Sequence, residues 1–147
     1  MISFIVDDFK KMKKMGEILG KAILESKIEK AFIIGLVGQL GTGKTTFVQG
    51  LGKGLGIKQK IISPSFVIIR KYKIPGKSRF SYFYHIDCYR ILKSKEILEL
   101  GFEKILEENS VIAIEWAEKI KKILPKHTLW INFDYIDKNK RKVAIIL

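Results

Sequence analysis

Cysteine is almost missing from this chain. Its 147 residues hold one, Cys88, so no internal disulfide can form, and a reducing, cytosolic setting is the expectation. Long hydrophobic runs are missing as well. The longest, such as residues 31–37, reach about a third of a membrane span, so no membrane association is expected. Residues 1–6 lean apolar but run straight into Asp7 and Asp8, which is too short and too soon acidic for an export signal. The sequence has no internal repeat, no low-complexity tract and no Pro/Ser linker. Residues 1–147 are therefore expected to form one domain, large enough for a core and too small for a separate substrate domain. Arginine is scarce, with 4 residues against 24 lysines.

What is present is basic. Lys and Arg total 28 against 15 Asp and Glu, a net charge of +13. Two readings of that excess stay open. The 24 lysines stand beside 25 isoleucines, and both residues have AT-rich codons, so the skew can be compositional drift over a solvated surface. It can equally be a basic face that meets a polyanion or an acidic partner, although nucleic-acid surfaces usually lean on arginine too. Hydrophobic residues at 47% and charged residues at 29% exclude a disordered or fibrous chain.

The hydrophobic pattern alternates between helical and extended periods. Residues 3–6 read as a short strand. Asp7 or Asp8 can cap a helix reaching about Ser26, with Met12, Met15, Ile18, Leu19, Ala22 and Ile23 on its inner face. Residues 31–37 form a continuous apolar run, the mark of a strand buried on both faces, and a helix over about 45–55 follows. Residues 66–72 and 80–86 alternate around Ile74-Pro75-Gly76-Lys77 and read as a hairpin, with Phe80, Tyr82, Tyr84 and Ile86 facing one way. Ser94 can cap a helix to about Glu108 with Ile97, Leu98, Phe102, Ile105 and Leu106 inward. Residues 111–114 are another buried strand, and 129–133 with 143–147 a closing hairpin. Helices between short apolar strands predict an α/β fold: a three-layer domain whose mixed sheet has a mostly parallel core and antiparallel hairpins.

The chemistry sits at Gly38-Gln39-Leu40-Gly41-Thr42-Gly43-Lys44-Thr45, which is the phosphate-binding pattern G-x-x-x-x-G-K-[ST]. Such a loop wraps a polyphosphate with successive backbone N–H groups turned inward. That demands glycine where φ is positive or the backbone approaches closely, here Gly38, Gly41 and Gly43. The helix that follows aims its N-terminus at the phosphates. Lys44 supplies a point charge for the β- and γ-phosphates, and the Thr45 hydroxyl is a hard oxygen ligand for Mg²⁺. The buried strand before the loop and the helix after it are the context the motif requires.

A phosphate loop also needs a carboxylate for the metal or the water, usually at the end of a neighbouring strand. Glu115 ends the run 111–114 and Asp87 ends the run 82–86. The strand before Glu115 can lie parallel to 31–37 and open onto the same crevice. Trp116 reads either as a strand-end aromatic over the core or as a stacking surface at the nucleotide. Ser63-Pro64-Ser65-Phe66 reads either as a turn into a strand or as a switch that closes on the γ-phosphate. His85 and His127 lack metal-ligand partners in the sequence and read as structural, and Cys88 as a bystander thiol.

In this order the pieces resemble one family, the bacterial TsaE family of small P-loop ATPases in tRNA threonylcarbamoyladenosine biosynthesis. The matching elements are Gly38–Thr45 with Thr46, Ser63-Pro64-Ser65-Phe66, His85-Ile86-Asp87-Cys88-Tyr89-Arg90, Leu100-Gly101-Phe102-Glu103 and Glu115-Trp116. The loop alone is generic; the Ser-Pro, Asp-x-Tyr-Arg and Glu-Trp strings at these separations are specific. Ser65 stands where the family usually has Thr, which keeps a hydroxyl, and Gln39 and Thr42 differ from the commonest loop residues. The resemblance implies ATP with Mg²⁺, slow hydrolysis and obligate partners: the threonylcarbamoyl-transferase subunit and its companion. It leaves direct contact with tRNA open. It also implies that Gly38, Gly41, Thr42, Gly43, Lys44, Thr45, Thr46 and Trp116 bind the nucleotide, that Thr45 and Glu115 hold the metal, and that Asp87 and Lys44 join Glu115 in catalysis. Ser65 and Arg90 would support them.

Rival classes fit less well. A small-metabolite kinase needs an acceptor pocket and an arginine-bearing lid, and the chain offers only Arg70, Arg79, Arg90 and Arg141. A GTP switch needs Asn-Lys-x-Asp and Asp-x-x-Gly, and neither occurs. A nucleotide-dependent binding module without turnover is the remaining alternative.

Overall fold

In the computed structural model, which describes residues 1–64 and 68–146, seven strands form one sheet. In chain order the elements are β1 (Ile2–Val6), α1 (Phe9–Glu25), β2 (Phe32–Gly38), α2 (Lys44–Gly54), β3 (Ile69–Lys73), β4 (Tyr82–Asp87), α3 (Ser94–Leu98), α4 (Phe102–Glu107) and β5 (Ser110–Glu115). A 3₁₀ segment (Ala117–Ile123), β6 (Leu129–Asp137) and β7 (Lys140–Ile146) complete the chain. The strand order is β1-β7-β6-β2-β5-β4-β3. The central pairs β6–β2, β2–β5 and β5–β4 are parallel, and the outer pairs are antiparallel. This is the mixed sheet with a parallel core that the alternating periods predict. Among the described residues no helix is long and apolar enough to cross a membrane.

Side chains leave the sheet on alternating faces, and each face has its own core. Ile34, Leu36, Val111, Ala113, Ile131 and Phe133 pack beneath α1 and α2. Ile33, Ile86, Ile112 and Ile114 pack against α3, α4 and the 3₁₀ segment. All six residues of β5 are buried, as its place inside the sheet requires.

Several local expectations are corrected. Asp8 is the cap of α1, its carboxylate accepting the Lys11 N–H at 2.7 Å. The buried face of that helix is Met12, Gly16, Gly20 and Ile23, while Ile18 is 58% exposed and Ala22 faces solvent. Two glycines replace bulk there because α2 lies against them backbone to backbone. A Cβ on Gly16 would meet the Phe47 carbonyl oxygen at 2.1 Å, and one on Gly50 the Lys13 carbonyl oxygen at 1.9 Å. The single helix expected over 94–108 is two, broken at Gly101, whose φ of 84° ends the helical path. Lys93 rather than Ser94 holds the cap position of α3, and the Glu96 carboxylate accepts the Leu92 and Lys93 N–H groups. Phe80 precedes β4 and joins the core under α1 and α2, away from Tyr82, Tyr84 and Ile86. Of the strand expected over 66–72, β3 covers residues from Ile69 onward; Ser65, Phe66 and Val67 lie outside the described residues.

Candidate functional site

The loop between β2 and α2 opens at the carboxyl ends of the parallel strands. Glycine is required at its three positions for two different reasons. Gly41 and Gly43 adopt φ of 76° and 97°. Gly38 does not; it is there because a Cβ would come within 2.5 Å of the Phe133 carbonyl oxygen on β6. Gly43 caps α2 without a side chain, which leaves the first N–H groups of the helix free to meet an anion. The Thr42 hydroxyl donates to the Gln39 carbonyl at 2.7 Å, and Arg141 Nε on β7 donates to the Gly41 carbonyl at 3.0 Å. Nothing in the sequence pointed to Arg141, because its partner lies 100 residues away.

Lys44 is buried and donates to the loop's own carbonyls, those of Gly38 and, at 3.1 Å, of Gln39. Its ammonium also lies 4.3 Å from the centre of the Trp116 ring. Burial lowers the lysine's pKa, against the opposing pull of Glu115, Glu118 and Asp87. Trp116 has φ of 58°, the left-handed region, alone among the described non-glycine residues. Its ring packs against the core below α3 and α4 and lines the cleft, at 5.1 Å from the Tyr89 ring.

The parallel register brings the acids together. Phe32–Leu36 pair with Val111–Glu115, and Asp87 pairs with Glu115. Thr45 Oγ donates to Glu115 Oε1 at 3.1 Å, with Oε2 at 3.4 Å. Asp87 is half-buried and accepts the Tyr89 N–H at 2.9 Å. Burial raises its pKa, and the nearby Glu115 charge adds to that rise. Cys88 is buried, and burial pushes its thiol up to about 12, which keeps it protonated and unreactive.

A cleft of about 690 Å³ runs along these groups, lined by Gly41 to Thr46, Asp87, Arg90, Glu115 and Trp116. Ser63 and Pro64 reach it as well, while Ser65 lies outside the described residues. Phe9 and Leu40 stand at its edge. His85, expected to be structural, is fully buried behind Glu115 and does not line the cleft: its Nε2 lies 2.5 Å from Glu115 Oε2. The sequence concealed this because the contact depends on the register between two strands.

A hydroxyl and a carboxylate, both hard oxygen donors, converge beside a phosphate loop. Among the described residues no group of three or more His, Cys, Asp or Glu could hold an ion. That set suits Mg²⁺, which takes one or two protein oxygens and completes its shell with phosphates and water.

Residues 6–143 match the family model described as threonylcarbamoyl adenosine biosynthesis protein TsaE. The tRNA threonylcarbamoyladenosine biosynthesis protein TsaE of Haemophilus influenzae is 33% identical over 146 residues, covering 99% of this chain and 89% of that protein. The protein of the same name from Rickettsia prowazekii is 43% identical over 114 residues, 77% of this chain and 76% of its own length. The crystal structure of Bacillus subtilis YdiB superposes with a TM-score of 0.75 at 25% identity, covering 98% of this chain and 83% of that one.

Proposed function

Because this chain belongs to the TsaE family, the threonylcarbamoyl adenosine biosynthesis proteins, we propose that it binds ATP with Mg²⁺ and hydrolyses it slowly. In this reading it serves the threonylcarbamoylation of the tRNA adenosine beside the anticodon. Its partners are the transferase subunit and that subunit's companion. The observation that carries the reading is the contact between Thr45 and Glu115, 3.1 Å apart at the mouth of the phosphate loop.

In this reading each residue of the site has a task. The N–H groups around Gly41 and Gly43 receive the polyphosphate at the start of α2. Lys44 leaves the loop carbonyls for the β- and γ-phosphate oxygens, exchanging neutral acceptors for charged ones. Thr45 and Glu115 would hold Mg²⁺, which when bound neutralises charge on the phosphates. Asp87 lies opposite Glu115 in the register and orients the attacking water. Trp116 covers Lys44 from the side and limits solvent access. Arg90 lines the same cleft and is the arginine nearest the task of meeting γ-phosphate charge, a task that a partner protein can complete.

The experiment is ATP turnover by the purified protein, alone and with the two partner subunits and tRNA. Slow hydrolysis alone and a changed rate with partners support the accessory reading. A full rate alone, indifferent to partners, overturns it.

A further inference from the structure

The Glu115 carboxylate is held by two residues. Oε1 lies nearer Thr45, at 3.1 Å, and Oε2 faces His85 Nε2 at 2.5 Å, with Thr45 Oγ 3.4 Å from Oε2 as well. His85 is 0% exposed. It pairs with Ala113 in the parallel register of β4 and β5, two residues before the pair of Asp87 and Glu115. His85 and Glu115 are therefore diagonal neighbours on one face of the sheet, within reach of long side chains. The Phe83 ring lies nearly parallel to the imidazole, at 16° with centroids 6.5 Å apart. Nδ1 of His85 is buried without a hydrogen-bond partner among the described residues. A bare acceptor costs less there than a buried N–H with nothing to donate to. The proton then belongs on Nε2, and Nε2–H donates to Glu115.

We propose that His85 is a positioning residue. It holds Glu115 Oε2, turning Oε1 and the Thr45 hydroxyl toward one point, where the Mg²⁺ that accompanies the nucleotide is received. This rests on the reading of Thr45 and Glu115 given above. Carboxylates that ligate metals are commonly held by such an outer hydrogen bond, and losing it typically costs about 10–100-fold in metal affinity. Phosphate contacts made by the loop do not pass through His85, so nucleotide affinity without metal is independent of it.

The test uses Mn²⁺ as the probe, its binding to the protein–ADP complex read by electron paramagnetic resonance. ADP affinity in EDTA is measured in parallel. His85→Leu fills the space without a donor; His85→Gln returns an N–H near the position of Nε2. The expected result is Mn²⁺ affinity reduced by about 10-fold or more in His85→Leu, restored in His85→Gln, with ADP affinity in EDTA unchanged in both. Unaltered Mn²⁺ affinity in His85→Leu overturns the proposal, as does a loss that is equal with and without metal. Glu115→Ala separates this from the underlying site reading. If Glu115→Ala loses Mn²⁺ and His85→Leu does not, only the positioning role fails. If Glu115→Ala keeps Mn²⁺, Glu115 is no ligand and both fall. Should His85→Leu not fold, His85→Gln is compared with His85→Asn, whose shorter amide does not reach the Nε2 position. Weaker Mn²⁺ binding by His85→Asn supports the proposal, and equal binding overturns it.

Discussion

Lys44 sits on its own loop's carbonyls, buried, with its pKa lowered chiefly by that burial. Phosphates would give it a counter-charge and raise the value again, so nucleotide binding should take up protons at alkaline pH. Calorimetry of ADP binding in two buffers of different ionisation enthalpy measures that uptake, and Lys44→Ala should lack it. The same variant should keep its fold and lose about 10²-fold or more in ATP turnover, the usual cost of removing a donor aimed at transition-state charge. Glu115→Ala and Asp87→Ala should still bind nucleotide while turnover falls. Asp87 also allows a test of stability. Its carboxyl has a raised pKa, first through burial, so the folded chain binds that proton more tightly than the unfolded chain. The ionised form therefore weakens the fold above the raised value, and the penalty fades as pH falls through it. Asp87→Asn keeps an oxygen for the Tyr89 N–H. Its urea midpoint should exceed that of the parent at neutral pH, with the difference shrinking toward acid; a lower midpoint at neutral pH refutes this. The acids and the loop were legible from the sequence because each ends an apolar run. Arg141 and His85 were not, since their contacts depend on which strands pair and in what register.

The contact between α1 and α2 shows the limit of hydrophobic pattern. A stripe of Met and Leu correctly announced one buried helix face. It could not announce that the tightest contact is made by glycines, Gly16 and Gly20 on α1 against Gly50 and Gly54 on α2. These residues carry no apolar signal, and Ile18 was assigned inward by its spacing although α2 never reaches that side. Likewise the positions Ile97, Leu98, Phe102 and Ile105 kept a helical spacing across a break that only the backbone at Gly101 reveals. Gly50→Ala places its methyl against backbone of α1 at 1.9 Å, which side-chain motion cannot relieve. It should lower stability by about 1–3 kcal/mol. Gly52→Ala meets only the Ile61 side chain, which can shift, and should cost less. Urea unfolding of the two variants decides it; equal stability would mean that the helices are free to separate.

At the scale of the molecule the strand and helix order was readable, because the chain switches between two hydrophobic periods, and some of the switches are marked by glycine or an acidic cap, as at Asp8, Gly43 and Gly56. The meaning of the +13 charge was not, since composition does not say where charge falls or what meets it. If the basic surface steers association with acidic subunits or tRNA, that association should weaken as ionic strength rises. Sedimentation with the partner subunits at low and high salt measures this, and salt-independent binding would assign the charge to composition alone. One feature of the topology bears on how the chain comes into being. β1 lies at the edge of the sheet and pairs with β7, which follows every other described element in the chain. On the ribosome β1 emerges well before β7, and Ile2, Phe4 and Ile5 have no strand partner until β7 follows. Meanwhile α1, β2 and α2 are neighbours in sequence and can close on each other early, since local contacts form before distant ones. Pairing of β1 therefore waits for β7, although β1 precedes every other strand in the chain.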